Sequence, residues 1–254
     1  MKYLSMKYLL WGIIFSLYFL WCPAAWAGTL ADRVAAFPNW NAKPMLERAT
    51  VDLAYPDWIA GTWHVKSTLV DLVAPLAPDI VTPGFESNRA FLNQPIEFDV
   101  RFMARSTKQF LKTQTAVVAD RAFNGLNIAR AYLGDRAVMA VKVDPNSPNQ
   151  QITLLRDDRQ LTSTITGRAS ETPDPKQFIT TEIFQQGFRG TAQPYFNQVE
   201  TTTAYRYQAE QSPPIVADQI TAIYLSPQDP NYFKAGESPV ALYRYRLDFF
   251  LLTE

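Results

Sequence analysis

The chain has 254 residues, with 24 basic and 24 acidic side chains, 47% hydrophobic residues and 19% charged ones. That composition is globular. It excludes a disordered chain, and it excludes a nucleic-acid binder, because Lys and Arg are scattered and matched by acids. One Cys and one His exclude multi-His or Cys-based zinc sites.

The first 27 residues read as a targeting segment. Lys2 and Lys7 precede an apolar run from Tyr8 to Trp21, followed by Cys22-Pro23-Ala24-Ala25-Trp26-Ala27. A basic end, an apolar middle and a small-x-small site make a secretory signal peptide, with cleavage expected after Ala27. The competing reading is an uncleaved anchor, since the run approaches the lower limit for a span. Pro23 and Ala25-Trp26-Ala27 favour cleavage, and Trp21 before Cys22 fits a lipoprotein signal poorly. Cleavage leaves 227 residues without a Cys, 22 basic against 24 acidic. Stability must then come from a core without disulfides. No membrane span is expected after signal cleavage.

Residues 28–57 form an N-terminal segment, with a short helix predicted over Leu30 to Phe37 and breaks at Pro38, Pro44 and Pro56. Residues 58–254 are expected to be one domain. Its first strand lies in Trp58 to Val70. Gly61 permits a bend before Trp63, and Trp63, Val65, Ser67 and Leu69 then share one face. Ala74 to Pro95 is a Pro-rich loop carrying Phe85 and Phe91. It reads equally as a lid or as a surface loop docked by its two Phe side chains. Ile96 to Phe102 alternates without a fault, and Thr113 to Ala119 reads as another strand. Asp120 to Leu133 is open between two forms: Leu126, Ala129, Arg130 and Leu133 have helical spacing, whereas Asn124-Gly125 suits a hairpin turn. Further strands are predicted at Ala137–Val143, Gln151–Arg156, Gln160–Ala169, Phe178–Phe184, Val199–Tyr207, Gln219–Leu225 and Ala241–Leu252. Many short strands with turns between them predict an all-β sandwich or barrel. In a closed barrel the last strand pairs with the first and removes both edges. Arg244 or Arg246 on that last strand is then a candidate to lie over Trp63; the alternative leaves them solvated outside.

Catalytic chemistry is sparse. His64 follows Trp63 on the outward face, where a structural role outweighs that of a base. Asp157-Asp158 is turn-like, Gln228-Asp229-Pro230 is at most a weak calcium loop, and Asp120-Arg121 reads as a structural pair. Neither cofactor nor metal is expected, and no catalytic residue is assigned. Aromatic residues are abundant. Tyr205, Tyr207, Tyr224, Tyr243 and Tyr245 on late strands, with Phe85 and Phe91, are candidates to line an apolar pocket, although core packing explains them as well.

Gly61-Thr62-Trp63, the long loop after that strand and a late-strand Arg resemble the lipocalin (calycin) pattern. That resemblance implies an antiparallel β-barrel with a short N-terminal helix and a lid loop. A second resemblance rests on Ala77-Pro78-Asp79-Ile80-Val81-Thr82-Pro83-Gly84-Phe85, Asp120-Arg121-Ala122-Phe123-Asn124 and Tyr224-Leu225-Ser226-Pro227-Gln228-Asp229-Pro230-Asn231-Tyr232. These runs resemble a domain-of-unknown-function family of cyanobacteria and plant plastids. The resemblance implies an exported protein of the thylakoid lumen or periplasm and transfers no site residues.

Three functions follow as expectations. The first is a non-enzymatic binder of a small apolar ligand (a lipid, isoprenoid or pigment). The second is an accessory or assembly factor for a photosynthetic membrane complex, using an exposed patch near Tyr232 and Phe233. A lyase or isomerase ranks well behind, for want of a perturbed acid in a cleft.

Overall fold

The alternating stretch at Trp63 is a strand, and the sheet extends to either side of it. The computed structural model describes residues 30–109, 112–190 and 194–252. The predicted signal peptide, residues 1–27, lies outside the described residues. In chain order the elements are α1 (Leu30–Ala35), β1 (Glu47–Arg48), a 3-10 turn (Asp57–Ile59), β2 (Gly61–Val73), α2 (Phe85–Asn88), a 3-10 turn (Arg89–Phe91), β3 (Pro95–Gln109), β4 (Lys112–Ala119) and α3 (Arg121–Leu133). Then follow β5 (Val138–Asp144), β6 (Ser147–Leu155), β7 (Gln160–Asp174), β8 (Gln177–Arg189), β9 (Tyr195–Tyr207), β10 (Ile215–Leu225), α4 (Tyr232–Ala235) and β11 (Ala241–Leu251). Among the described residues no helix is long and apolar enough to cross a membrane.

The strands form one antiparallel sheet, strongly curled into a half-barrel, in the order β4-β3-β2-β11-β10-β9-β8-β7-β6-β5. Short β1 continues the edge of β7, with Glu47 opposite Arg168. The last strand pairs with the first, Phe249 opposite Val65 and Leu251 opposite Trp63, as the sequence predicts. That pairing lies in the middle of the sheet, however. The order runs as an up-and-down meander whose seam falls between β4 and β5, and no pairing joins those two strands among the described residues. A closed barrel is therefore not what forms. The reason is local: the segment leading out of β4 folds as α3 and not as a hairpin.

The helix wins over the hairpin for identifiable reasons. The Asp120 side chain accepts from Phe123 N at 3.2 Å and caps the helix, and Gly134 ends it at φ 89°. Asn124 does not sit in a turn. Its Oδ1 accepts from Arg101 N at 2.7 Å and its Nδ2 donates to Arg101 O at 3.2 Å, capping β3 backbone beyond the end of β4. Gly125 provides close approach on the other side: a Cβ there would stand 2.8 Å from Gln151 Nε2 and 3.1 Å from Val141 Cγ1. The Asn-Gly pair thus fastens α3 to β3 on one flank and to the β5–β6 hairpin on the other.

Inner-face residues of β2, β3 and β11 build the main core, in which Trp63, Val65, Val100, Phe102, Leu247 and Phe249 meet Ile59 and Leu53. The Trp63 indole donates to Ile59 O at 2.8 Å. Opposite Arg244 and Tyr245 the β2 register slips by one residue, so that Leu69 and Leu72 both face inward under Phe85, Ala241 and Tyr243. Part of the outer face, over β10 and β11, is also buried, under residues 30–46. There Trp40 packs on Ile220, Ala222, Tyr224 and Leu242, with Val34 and Phe37 beside it.

Candidate functional site: the cavity beneath helix α3

Helix α3 covers the open side of the half-barrel without sinking into it. None of its residues is fully buried, and Ile128, Tyr132 and Leu133 keep 38%, 45% and 55% of their surface exposed. Beneath it lies a cavity with two lobes, of about 260 Å³ and 500 Å³. Ala119, Asn124, Ile128, Tyr132 and Thr201 line both lobes. The larger lobe falls within the range of small-molecule pockets, about 300–1,000 Å³, and the smaller one falls just below it.

The walls differ in chemistry. Val65, Phe98, Val100, Phe102, Leu247 and Phe249 line the smaller lobe on the β2, β3 and β11 side. Leu155, Leu161, Phe184, Phe188 and Val199 line the larger one. Between them runs a polar belt set by strand register. Thr180, Thr203 and Gln219 stand opposite one another across β8, β9 and β10, and Glu182 stands opposite Thr201 in the neighbouring row. Thr203 Oγ1 donates to Gln219 Oε1 at 3.3 Å. Tyr132 reaches from α3 to Ser67 on β2, hydroxyl to hydroxyl, at 3.3 Å.

A charged cluster closes one end of the belt. Glu182 Oε1 accepts from Arg168 Nε at 2.7 Å and from Arg121 Nη2 at 3.2 Å. Arg121 Nε also donates to Asp52 Oδ1 at 3.1 Å. Burial works against the Arg121 charge, but Glu182, Tyr55 and Asp52 outweigh it and hold the guanidinium protonated. Tyr55 and Tyr205 stand next to this cluster, their rings 6.2 Å apart. Burial pushes both phenols up, and Glu182 adds to the effect, so both are hydrogen-bonding groups at neutral pH and not bases. Among the described residues no group of three or more His, Cys, Asp or Glu is placed to hold a metal ion.

The residues singled out from sequence are dispersed. Tyr205 lines the cavity. Tyr207 stacks on Trp58 at 5.5 Å, at the end of the sheet. Tyr245 packs into the core between two clusters. Phe85 is 1% exposed and packs on Tyr243, whose hydroxyl accepts from Asn88 Nδ2 at 3.1 Å, so these residues dock the 74–95 loop. Phe91 is on the surface, 48% exposed. Tyr224 lies on the opposite, outer face and donates to Glu200 Oε2 at 2.9 Å. Gly61 has φ 129° and lies against Leu251, so the bend before Trp63 does need a glycine. Arg244 and Arg246 point away from Trp63, one to Asp218 and the Phe37 ring, the other to Asp248. Period two places them on the outer face while Trp63 is on the inner. Asp120 and Arg121 do not pair with each other: Asp120 holds Arg101 at 2.5 Å. Sequence reasoning missed Asn124, Ile128, Tyr132, Glu182, Arg121, Arg168 and Gln219. The usable signal was Thr201 and Thr203 standing between Val199 and Tyr205 on one strand face.

A family model described as Domain of unknown function (DUF6816) matches residues 47–253, and the chain belongs to that family. The match takes in every strand and all of the cavity, and it begins after α1 and Trp40. No curated protein and no solved structure matches the chain.

Proposed function

We propose that this DUF6816 protein is an exported, non-enzymatic binder that uses the half-barrel in a lipocalin-like way, holding a small apolar or amphipathic molecule (a lipid, isoprenoid or pigment) beneath α3. The observation that carries the reading is the two-lobed cavity, with large apolar walls, a narrow polar belt and a cover that leaves its own Ile128, Tyr132 and Leu133 partly exposed. That combination of wide apolar lining and few convergent polar groups suits ligand binding. Export rests on residues 1–27, and the thylakoid lumen or periplasm on the resemblance to the cyanobacterial and plastid family. The test is native mass spectrometry of the mature protein from its own compartment, before and after organic extraction. A mass excess that extraction removes, and that Ile128→Trp reduces by filling the cavity, is the expected result. A bare polypeptide mass in both preparations refutes the reading.

One observation favours a second reading, an accessory role at a photosynthetic membrane complex. Phe233 on α4 is 90% exposed, beside Tyr232, which packs inward. A ring exposed to this extent is available to a partner, although apolar residues scattered singly are ordinary on protein surfaces. Unchanged photosynthetic complexes in a deletion strain refute this reading.

A further inference from the structure

From the polar belt we infer that the cavity selects an uncharged, hydroxyl-bearing amphiphile and rejects one with a carboxylate head. The inference rests on the ligand-binding reading above and names the ligand class.

The two arginines that hold Glu182 are Arg168, behind the cavity wall, and Arg121, which lines the larger lobe. All three nitrogens of Arg168 are engaged: Nε with Glu182, Nη1 with Val51 O and Nη2 with Asn149 Oδ1 at 2.9 Å. Arg121 spans Asp52 and Glu182. A carboxylate ligand therefore finds the Nε–Nη2 edge of both guanidiniums, the edge that best forks a carboxylate, already taken. Glu182 is used unevenly. Both arginine bonds arrive at Oε1, and among the described residues no donor reaches Oε2. Its side chain is 12% exposed and lines the cavity, so Oε2 is an anionic acceptor presented to the ligand. Gln219 is complementary. Its Oε1 is taken by Thr203, and among the described residues its Nε2 has no acceptor.

The belt thus offers one strong acceptor and one amide donor, with the Thr180, Thr201 and Thr203 hydroxyls between and beside them. Glu182 and Gln219 stand two strand spacings and one row apart, roughly 12 Å. A hydroxyl donates to Glu182 Oε2 and accepts from the facing Thr201 hydroxyl. An ionised carboxylate has nothing to donate and brings like charge to Glu182 where solvent is reduced, which costs far more than in water. Sites that present hydrogen-bonding groups to a hydroxyl discriminate strongly against ligands that leave them unpaired.

The test uses the full mature chain and displacement of the neutral fluorophore Nile red. The competitors are 1-dodecanol and dodecanoate, equal in chain length, below their aggregation thresholds and at a pH where the acid is ionised. The expected result is displacement by dodecanol at a concentration at least about tenfold lower. Glu182→Gln narrows that gap. Gln219→Leu, which leaves Glu182 and the arginine cluster intact, keeps dodecanol ahead of dodecanoate. Saturable displacement by dodecanoate at equal or lower concentration overturns the inference while the binding reading stands. Failure of Nile red and of both competitors to bind overturns both.

Discussion

Removing the Arg33 side chain is expected to destabilise the whole sheet from its outer face. Glu200 on β9 is completely buried there, and Arg33 from α1 meets it with both prongs, Nε to Oε1 at 2.5 Å and Nη2 to Oε2 at 2.6 Å. The Tyr224 hydroxyl at 2.9 Å and the Thr202 hydroxyl at 3.1 Å complete the carboxylate's shell. The Arg33 guanidinium also lies 3.9 Å from the centre of the Trp40 ring, so that it pins the arm that covers β10 and β11. Arg33→Ala leaves a buried carboxylate with two neutral donors and no countercharge. Breaking a buried pair from one side costs about 3–5 kcal/mol. For a domain of this size each kcal/mol lowers Tm by about 2–4 °C, so Tm is expected to fall by about 6–20 °C. Thermal unfolding followed by circular dichroism reads this directly. In the double variant Arg33→Met with Glu200→Gln, the buried charge is gone, and most of the loss is expected to return. A Tm for Arg33→Ala within about 2 °C of wild type, or a double variant no better than the single one, refutes the reasoning.

Three other outcomes follow from the geometry. Phe85→Ala is expected to cost about 3–5 kcal/mol and to expose the 74–95 loop to limited proteolysis, because the ring is 1% exposed; Phe91→Ala, at a ring 48% exposed, is expected to change stability by about 0.5 kcal/mol or less. Asn124→Ala removes both bonds from α3 to the Arg101 backbone; a loss of about 1–3 kcal/mol is expected, together with faster hydrogen exchange confined at first to α3. His64 hydrogen-bonds Asp99 at 2.9 Å and Glu97 at 3.4 Å; the Asp99 bond raises its pKa, burial opposes this, and Glu97 adds to the rise. A raised folded pKa means that the pair stabilises fully below the unfolded value of 6.5 and that this is lost as pH climbs through the folded value. His64 is 39% exposed, so wild type is expected to exceed His64→Gln by only about 0.2–1 kcal/mol in acid, with the gap closing above neutrality in urea titrations.

Strands were legible wherever one face was apolar and the other wet. Ile96 to Phe102 and Gln160 to Ala169 fall inside β3 and β7 for that reason. The 120–133 segment was not legible, because the purpose of Asn124-Gly125 is tertiary. Asn124 is there for the Arg101 backbone and Gly125 for Gln151 and Val141, and no local rule carries either fact. Tyr224 shows a second limit. On β10 it shares a face with Ile220 and Ala222, while Gln219 shares a face with Ala217 and Ile223. When both faces of a strand carry apolar residues, alternation does not say which is inner. The outer face of β10 is apolar because the Trp40 arm lies on it. The polar belt depends further on register across three strands, and a shift of one residue would send Gln219 to the other side.

The same outer cover explains how the sheet can carry a polar belt inside. A half-barrel that drew all of its stability from the inner face would need that face packed solid with apolar side chains. Here β8, β9 and β10 bury a second set of contacts outside. Thr181 and Thr202 are both fully buried and share a hydrogen bond of 2.8 Å, beside Glu200, Arg33 and the Trp40 cluster. The central strands are held from behind, so Thr180, Glu182, Thr201, Thr203 and Gln219 can face the cavity without loosening the sheet. The division of labour runs along β9: Gln198 and Glu200 bond Lys43 and Arg33 of the arm, and odd-numbered positions from 199 to 205 face the cavity. At the seam, α3 is fastened at Asn124 and Gly125, while Ile128, Tyr132 and Leu133 touch the cavity. On the ligand-binding reading proposed above, loosening α3 is expected to change ligand exchange before global stability, whereas loosening the arm at Arg33 is expected to do the reverse.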